Sequence, residues 1–452
     1  MALRHLTDAV ARFSGDRGGN FAVMMAAVCS VVVLSAGYGL NLAQLSNARS
    51  SLLNALDAAV TSTARDLTTG TIAEKDARAS VEAFLLANGG AAFAEAGRIS
   101  LDRLTVDRAA STVTASASVV VDLAFPLFGA DPTRRVSIES AAVYSDKKIE
   151  ISMMLDVTGS MAGRKLQDLK RAAKNGVTTL LAGQKATDPR VRVAIVPYAN
   201  AVNAGSLAES AVFVERRASD RGEAPGMFAP RQAASSGRPD NCATERKGRQ
   251  QYTDAGPDVS MVNRDLLLSE FANRSRSRAC PSAAVIPLTA DAGRLTAAID
   301  GFVAEGGTGG HIGVQWAWYM LSRNWAAVLP AAARPAPADA GKVAKYAILM
   351  TDGEFNLSYF DADSADDVYD GRGKRATREA AKRLCREMRS QGIEIFTIGF
   401  KLENAAAKET MSACASPDSG SVRHHFDTST GDELNDAFME IARNIERLAL
   451  TR

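Results

Sequence analysis

Two hydrophobic patterns of different period open the chain. Phe21–Leu40, FAVMMAAVCSVVVLSAGYGL, carries no charge and is long enough to cross a bilayer as a helix, which takes about 20 apolar residues. Beyond it, Leu42, Leu45, Leu52, Leu56, Val60, Thr63 and Leu67 recur at three- and four-residue steps, with Arg49 on the same stripe. That spacing predicts one face of a helix continuing the apolar segment. Thr68-Thr69-Gly70 ends it, and a second helix is expected over 73–86, stopped by Asn88-Gly89-Gly90. Residues 98–125 and 134–145 then alternate Thr, Val, Ser and Ala as strands do. Residues 41–147 thus read as a long helix with a small α+β module.

From Lys148 the pattern changes to short apolar runs separated by amphipathic stretches. Strands are expected at 148–155, 190–198, 345–351 and 393–400. Helices are expected at 164–182, from about 291, and at 310–323, 377–390 and 432–447. Buried strands alternating with helices predict an α/β fold with a doubly wound, mostly parallel sheet over 148–447. Two stretches interrupt it: a polar, turn-rich insertion at 203–288 and the Pro/Ala linker AAARPAPADAG, 331–341.

The chain of 452 residues, with 46% hydrophobic and 23% charged residues, suits two or three folded units. A net charge of +2 points to no polyanionic partner. Arg4, Arg12 and Arg17 precede the apolar segment, and no basic residue follows it before Arg49. The positive-inside rule makes 1–20 cytoplasmic, 21–40 a transmembrane helix and the remainder exported. The rivals are a cleaved signal peptide, whose apolar core would be shorter and followed by a small-residue cleavage site, and a buried globular helix. An exported location permits disulfides. Proximity in sequence favours Cys242–Cys280 and Cys385–Cys414, each worth roughly 4 kcal/mol in the chain-entropy model. Cys29 reads as an apolar filler.

The segment LDVTGSM sets Asp156, Thr158 and Ser160 at alternate positions at the end of a buried strand, where sheets of this kind bind ligands. Three uses are open: capping the next helix, nucleophilic catalysis, or metal binding. Capping engages one oxygen. A nucleophile needs a base, and no histidine occupies a comparable strand end. The metal reading draws on YAILMTDGE, which ends a second apolar strand at Asp352, and on GGTGGHIG, which sets Thr308 between glycine pairs before a helix. Two carboxylates and three hydroxyls suit a divalent cation, Mg²⁺ first, with Mn²⁺ or Ca²⁺ as alternatives. Two carboxylates only balance such an ion, which leaves room for an external acidic group.

Asp156-x-Thr158-x-Ser160, Thr308 and Asp352 in TDG resemble the metal-ion-dependent adhesion site (MIDAS) of von Willebrand factor A domains, with Thr at the usual first Ser. The resemblance covers about 148–447. It implies a Rossmann-like doubly wound fold and direct coordination by Thr158 and Ser160. Asp156, Thr308 and Asp352 would contribute directly or through water, and a protein partner's Asp or Glu would complete the shell.

RGGNFAVMM…YGLNLAQLSNARSSLLNALDAA, with Gly19, Asn54, Ala55 and Asp57-Ala58-Ala59, resembles the N-terminal pilin-like segment of TadE/TadG-type proteins. VRVAIVPYANAVNAG, IPLTAD and GGTGGHIGVQWAWYMLS are similar to the A domain of TadG-like proteins of tight-adherence (Flp) pilus systems. Met24 stands where a true prepilin carries Glu, which favours a retained anchor. The resemblance implies a single-pass bacterial inner-membrane accessory protein, with pilus or secretion components as partners and no enzymatic activity or nucleic-acid binding. A surface adhesin using the same site is the alternative. A metal-dependent hydrolase is disfavoured because no base or nucleophile is evident.

Four further features have plainer readings. Arg274–Arg278 with Arg216, Arg217 and Arg221 gives the insertion a basic tone, read as a solvated surface. Asp361–Gly371, DADSADDVYDG, hints at a calcium loop but lacks the acidic residue and glycine an EF-hand requires. Trp316, Trp318 and Tyr319 read as core. Glu354 either modulates an ion at Asp352 or is simply exposed.

Overall fold

The computed structural model describes residues 19–69, 71–89, 99–107, 110–126, 131–144, 147–184, 189–215, 240–275, 278–337, 339, 342–420 and 422–451. Arg4, Arg12 and Arg17, which carry the expected orientation, and Arg216, Arg217, Arg221 and Arg276 of the expected basic surface lie outside them. The chain forms two compact units, 1–67 with 72–144 and 68–71 with 145–452.

In the first unit a single helix α1, Gly19–Thr69, runs 51 residues without a break. Its apolar N-terminal part is almost wholly exposed, and it is a candidate membrane span by length and composition. Leu52, Leu56, Val60 and Leu67 are buried, as their spacing predicts, together with Ala55, Ala59 and Ala64. They pack on α2, Ala77–Gly89, and on an antiparallel sheet β1, Ile99–Asp107, β2, Thr112–Asp122, and β3, Thr133–Val143, in the order β1-β2-β3. Every second residue of β2, Val113, Ala115, Ala117 and Val119, faces this core. Leu42 (58% exposed) and Arg49 depart from the expected stripe. The packed cluster begins on the helix at Leu52, and those two side chains lie outside it.

The second unit is a mixed α/β layer structure. Its elements in chain order are β4 (Lys148–Asp156), α3 (Arg164–Leu180), β5 (Val191–Tyr198), β6 (Val202–Asn203) and α4 (Ala208–Ala211). Then come β7 (Val212–Val214), β8 (Cys242–Ala243), β9 (Val262–Arg264), α5 (Leu267–Ser275) and β10 (Ile286–Thr289). α6 (Ala292–Asp300), α7 (Gly310–Tyr319), β11 (Val343–Thr351) and α8 (Gly371–Ser390) follow. β12 (Glu394–Phe400), α9 (Ala405–Cys414), β13 (His425–Thr428) and α10 (Gly431–Thr451) complete the unit.

The main sheet is ordered β13-β12-β11-β4-β5-β6-β8. The five strands from β13 to β5 are parallel, and β6, β8 and β10 join antiparallel. Met153 and Leu155 face one helical layer with Leu169, Val177 and Phe438, while Met154 faces the other with Trp316, Ala317 and Leu384. Covering both faces explains the near-continuous apolar strands. The order of the parallel strands reverses between β4 and β11. That is a topological switch point, where crossovers diverge to opposite faces and leave a crevice at the strands' carboxyl ends.

The insertion adds β6 and β8 to the sheet edge and forms a parallel β7–β9 pair. Disulfides join Cys242 to Cys280 and Cys385 to Cys414, leaving Cys29 free. The linker at 331–337 is tied down: Arg192 donates to the carbonyls of Ala332 and Arg334, and Ala336 N–H donates to buried Glu150. α8 begins six residues before its expected start because Asp370 caps it, accepting from Arg372 and Gly373 N–H at 2.8 Å.

Candidate metal centre

β4 and β11 end side by side at the switch point, so Asp156 and the Thr351-Asp352 pair emerge together. The Asp156 carboxylate is fully buried. Its Oδ1 accepts from Thr158 N–H at 2.9 Å and Thr158 Oγ1 at 2.6 Å. Its Oδ2 accepts from Tyr198 OH and Thr351 Oγ1, each at 2.8 Å. Thr158 Oγ1 lies 2.9 Å from Ser160 Oγ, which is 2.6 Å from Asp352 Oδ1. On the far side of Asp352, Lys165 Nζ meets Oδ2 at 2.7 Å, with the carboxylate buried and the lysine side chain 29% exposed. Ser160 is exposed, so one edge of the cluster faces solvent.

A second loop holds Thr308, which is buried. Gly159 N–H donates to Gly306 O and Glu305 N–H to Val157 O, both at 2.9 Å, stitching it to the LDVTGSM loop. Thr308 N–H donates to Asn356 Oδ1 at 2.8 Å, and Asn356 N–H returns to Thr308 O at 2.9 Å, linking it to the loop after Asp352. Glycine is needed here for two distinct reasons. Gly306 has φ +82° and a Cβ on it would lie 2.3 Å from Asn200 Oδ1, while a Cβ on Gly310 would meet the Phe355 ring at 2.1 Å. These contacts account for one glycine of each pair flanking Thr308.

The oxygens Asp156 Oδ1, Thr158 Oγ1, Ser160 Oγ and Asp352 Oδ1 form a chain with three contacts of 2.6, 2.9 and 2.6 Å. Two hydroxyl hydrogens serve those three contacts. With both carboxylates ionised, one contact therefore holds two oxygens together with no proton between them. A proton on a carboxyl or a cation among the oxygens removes that repulsion. The donor set is oxygen alone, which fits a hard divalent cation.

Burial, reinforced by neighbouring Asp352, pushes the Asp156 carboxyl up to about 6. The same burial and the Asp156 charge push Tyr198 well above its ordinary value, so it remains a hydroxyl donor. An unfolded aspartate titrates near 3.9, so the metal-free fold binds the extra proton more tightly than the unfolded chain. Its stabilising contribution is complete below about pH 4 and is lost as the pH rises through about 6. In chelator, thermal stability relative to Asp156→Asn should rise as the pH falls from about 7 to about 5. Saturating divalent cation should suppress that gain, because it needs the ionised carboxylate; melting curves of the two proteins at each pH give the readout.

Lys165, Tyr198, Thr351 and Asn356 belong to the cluster without having been singled out in the sequence. Thr351 adjoins the TDG signal and could have been found there. Lys165 lies on the first turn of α3, five residues past Ser160, where a lysine looks like an ordinary exposed helix residue. Glu354 pairs with Arg378 and accepts from Asn404 Nδ2 at 3.0 Å, so it is occupied away from the oxygens. In the acidic stretch after 360, Asp367 accepts from Ser364 and pairs with Arg372 while Asp370 caps α8, so both serve the local turn. Asp240, Cys242 and Cys280 also converge, within 4.8 Å. The two sulfurs are bonded to each other and Asp240 is held by Arg264 at 2.6 and 2.7 Å, so no thiolate is available to a metal there.

No family model matches the chain, and no curated protein does. Among solved structures, the pilus adhesin SpaC from Lactobacillus rhamnosus GG is similar over 78% of this chain and 35% of its own, at 12% identity and TM-score 0.36. The chain thus spans about a third of SpaC. The von Willebrand factor domain of the type V pili tip protein Mfa5 from Porphyromonas gingivalis is similar over 68% of this chain and 97% of its own, at 15% identity and TM-score 0.37. Proximal thread matrix protein 1 from the mussel byssus, with a zinc-occupied MIDAS motif, is similar over 68% of this chain and 46% of its own, at 13% identity and TM-score 0.31.

Proposed function

We propose that residues 148–447 form a von Willebrand factor A domain whose adhesion site holds a divalent cation, Mg²⁺ in the first instance. Thr158 and Ser160 hold the ion, and Asp156, Thr308 and Asp352 do so directly or through water. The observation that carries this reading is the four-oxygen chain with one proton too few, at the switch point of the sheet. Charge supports an open position for a partner. Asp156 and Asp352 balance a divalent ion and Lys165 adds one positive charge, so the loaded cluster attracts a carboxylate at its exposed Ser160 edge. The cation would supply that attraction and fix the carboxylate's position.

In this reading the protein is a single-pass accessory protein of a Flp (Tad) pilus system. Residues 1–20 are cytoplasmic, 21–40 cross the inner membrane, and the exported domain binds a protein partner through its Asp or Glu. The exposed apolar helix supports the anchor. The activity is binding and not catalysis. A photo-crosslinking residue in place of exposed Ala162, beside Ser160, tests the assignment in the native cell. Capture of pilus or secretion components, lost on Asp352→Asn, is expected. Capture of external matrix material alone would overturn the assembly role in favour of an adhesin.

A further inference from the structure

The segment Leu123–Pro126, which follows β2, packs against α1 through Ala124 and Phe125. Gly37, Asn41 and Gln44 lie on one helix face at four- and three-residue steps. Phe125 lies over Gly37 so closely that a Cβ there would fall 2.2 Å from the ring. Asn41 clamps the Phe125 backbone from both sides: its Nδ2 donates to Phe125 O at 2.7 Å, and Phe125 N–H donates to its Oδ1 at 3.0 Å. Ala124 N–H donates to Gln44 Oε1 at 2.9 Å. Ala124 and Phe125 are thus held by their backbone, which leaves their side chains free to be apolar.

Gly37 lies three residues inside the end of the uncharged stretch Phe21–Leu40, about 4–5 Å below that end along a helix. Tyr38, at the same level, is 63% exposed, and Val33 and Leu40 are 53% and 52% exposed. Leu123, Ala124, Phe125 and Pro126 carry no charge, and charge resumes at Asp122 on the strand side. If α1 spans a bilayer along Phe21–Leu40, the Phe125 ring and Tyr38 sit together at the depth where aromatic side chains favour the lipid interface.

We propose that the segment Leu123–Pro126, which follows β2, is a second membrane contact, entering the outer interface of the bilayer beside α1 through Ala124, Phe125 and Pro126. It rests on the reading of Phe21–Leu40 as a span. The contact would hold the small sheet at a fixed height against the lipid, in place of a free stalk. Gly37 makes the groove for the ring, and Asn41 supplies the hydrogen bonds that the Phe125 backbone would otherwise lose on leaving water.

The test uses the full chain in phosphatidylcholine/phosphatidylglycerol nanodiscs. An environment-sensitive fluorophore is attached at Ala124→Cys in a Cys29→Ser background, since the other four cysteines are disulfide-bonded. Lipids with nitroxides near the headgroup serve as quenchers. Exposed Glu139→Cys on β3 is the aqueous comparator, and the label on native Cys29 reports the span itself. The expected result is blue-shifted emission at 124 and quenching at least about twofold above Glu139→Cys, reduced by Gly37→Leu, which displaces the Phe125 ring. Quenching equal to Glu139→Cys, with Cys29 in lipid, overturns the second contact alone. A blue shift without lipid quenching assigns Leu123–Pro126 to a protein neighbour and also overturns the proposal. A Cys29 label that meets no lipid overturns the span as well.

Discussion

Asp156→Asn is expected to weaken divalent-cation binding to the α/β unit sharply while leaving its fold intact. The substitution keeps the carboxylate's shape but removes one of the cluster's two negative charges. Affinity for a hard cation should fall about a hundredfold or more, because ligand charge count sets it. Asn is more informative than Ala here. Thr158 N–H, Thr158 Oγ1, Tyr198 OH and Thr351 Oγ1 all donate to Asp156 inside the protein. Truncation would strand these donors at about 1–3 kcal/mol each and confuse loss of binding with loss of stability. Isothermal titration with Mg²⁺ and Mn²⁺, beside a melting curve in chelator, separates the two effects. Unchanged affinity in Asp156→Asn would contradict the assignment.

Lys165→Met has the opposite sign. The ammonium sits 2.7 Å from Asp352 Oδ2, where it neutralises part of the charge a cation would use and repels the cation itself. Met keeps much of the apolar stem and removes the charge. Cation affinity should rise by about tenfold, a modest fraction of the full Coulomb interaction because the lysine is partly solvated. The metal-free domain should lose stability over the same change, since Asp352 is left buried without its partner. The stabilisation on adding cation, read as the shift in melting temperature, should therefore be larger than in the unaltered chain. Affinity that stays the same or falls would mean that Lys165 serves the site by positioning Asp352 and not by opposing the ion.

How much of this was legible beforehand depends on the range of the interaction concerned. The strands at 148, 190, 345 and 393 and the long first helix follow from local hydrophobic period, and they appear within a few residues of their expected ends. The convergence of Asp156, Thr158, Ser160 and Asp352 was legible because each sits at or just past the carboxyl end of such a strand. The start of α8 was missed because its cap, Asp370, lies in an acidic stretch that resembles a calcium loop. β13 and the short strands of the insertion were missed because pairing with distant partners, not their own pattern, makes them regular; α9 was missed although Asn404 caps it locally, accepting from Ala406 N–H at 2.7 Å. Leu42 and Arg49 show the converse error, since a correct helical period does not reveal where the sheet covering it begins. Lys165 and Tyr198 become part of the site only through tertiary proximity, and the proton shortage among the four oxygens is visible only once distances are known.

The central claim is that a divalent cation occupies the four-oxygen chain. Crystals of the protein equilibrated with Mn²⁺ test it by anomalous scattering. The expected result is one strong peak within bonding distance of Thr158 Oγ1 and Ser160 Oγ, absent in Asp156→Asn. Full Mn²⁺ equilibration with no peak there, and with the three short oxygen contacts unchanged, would contradict it.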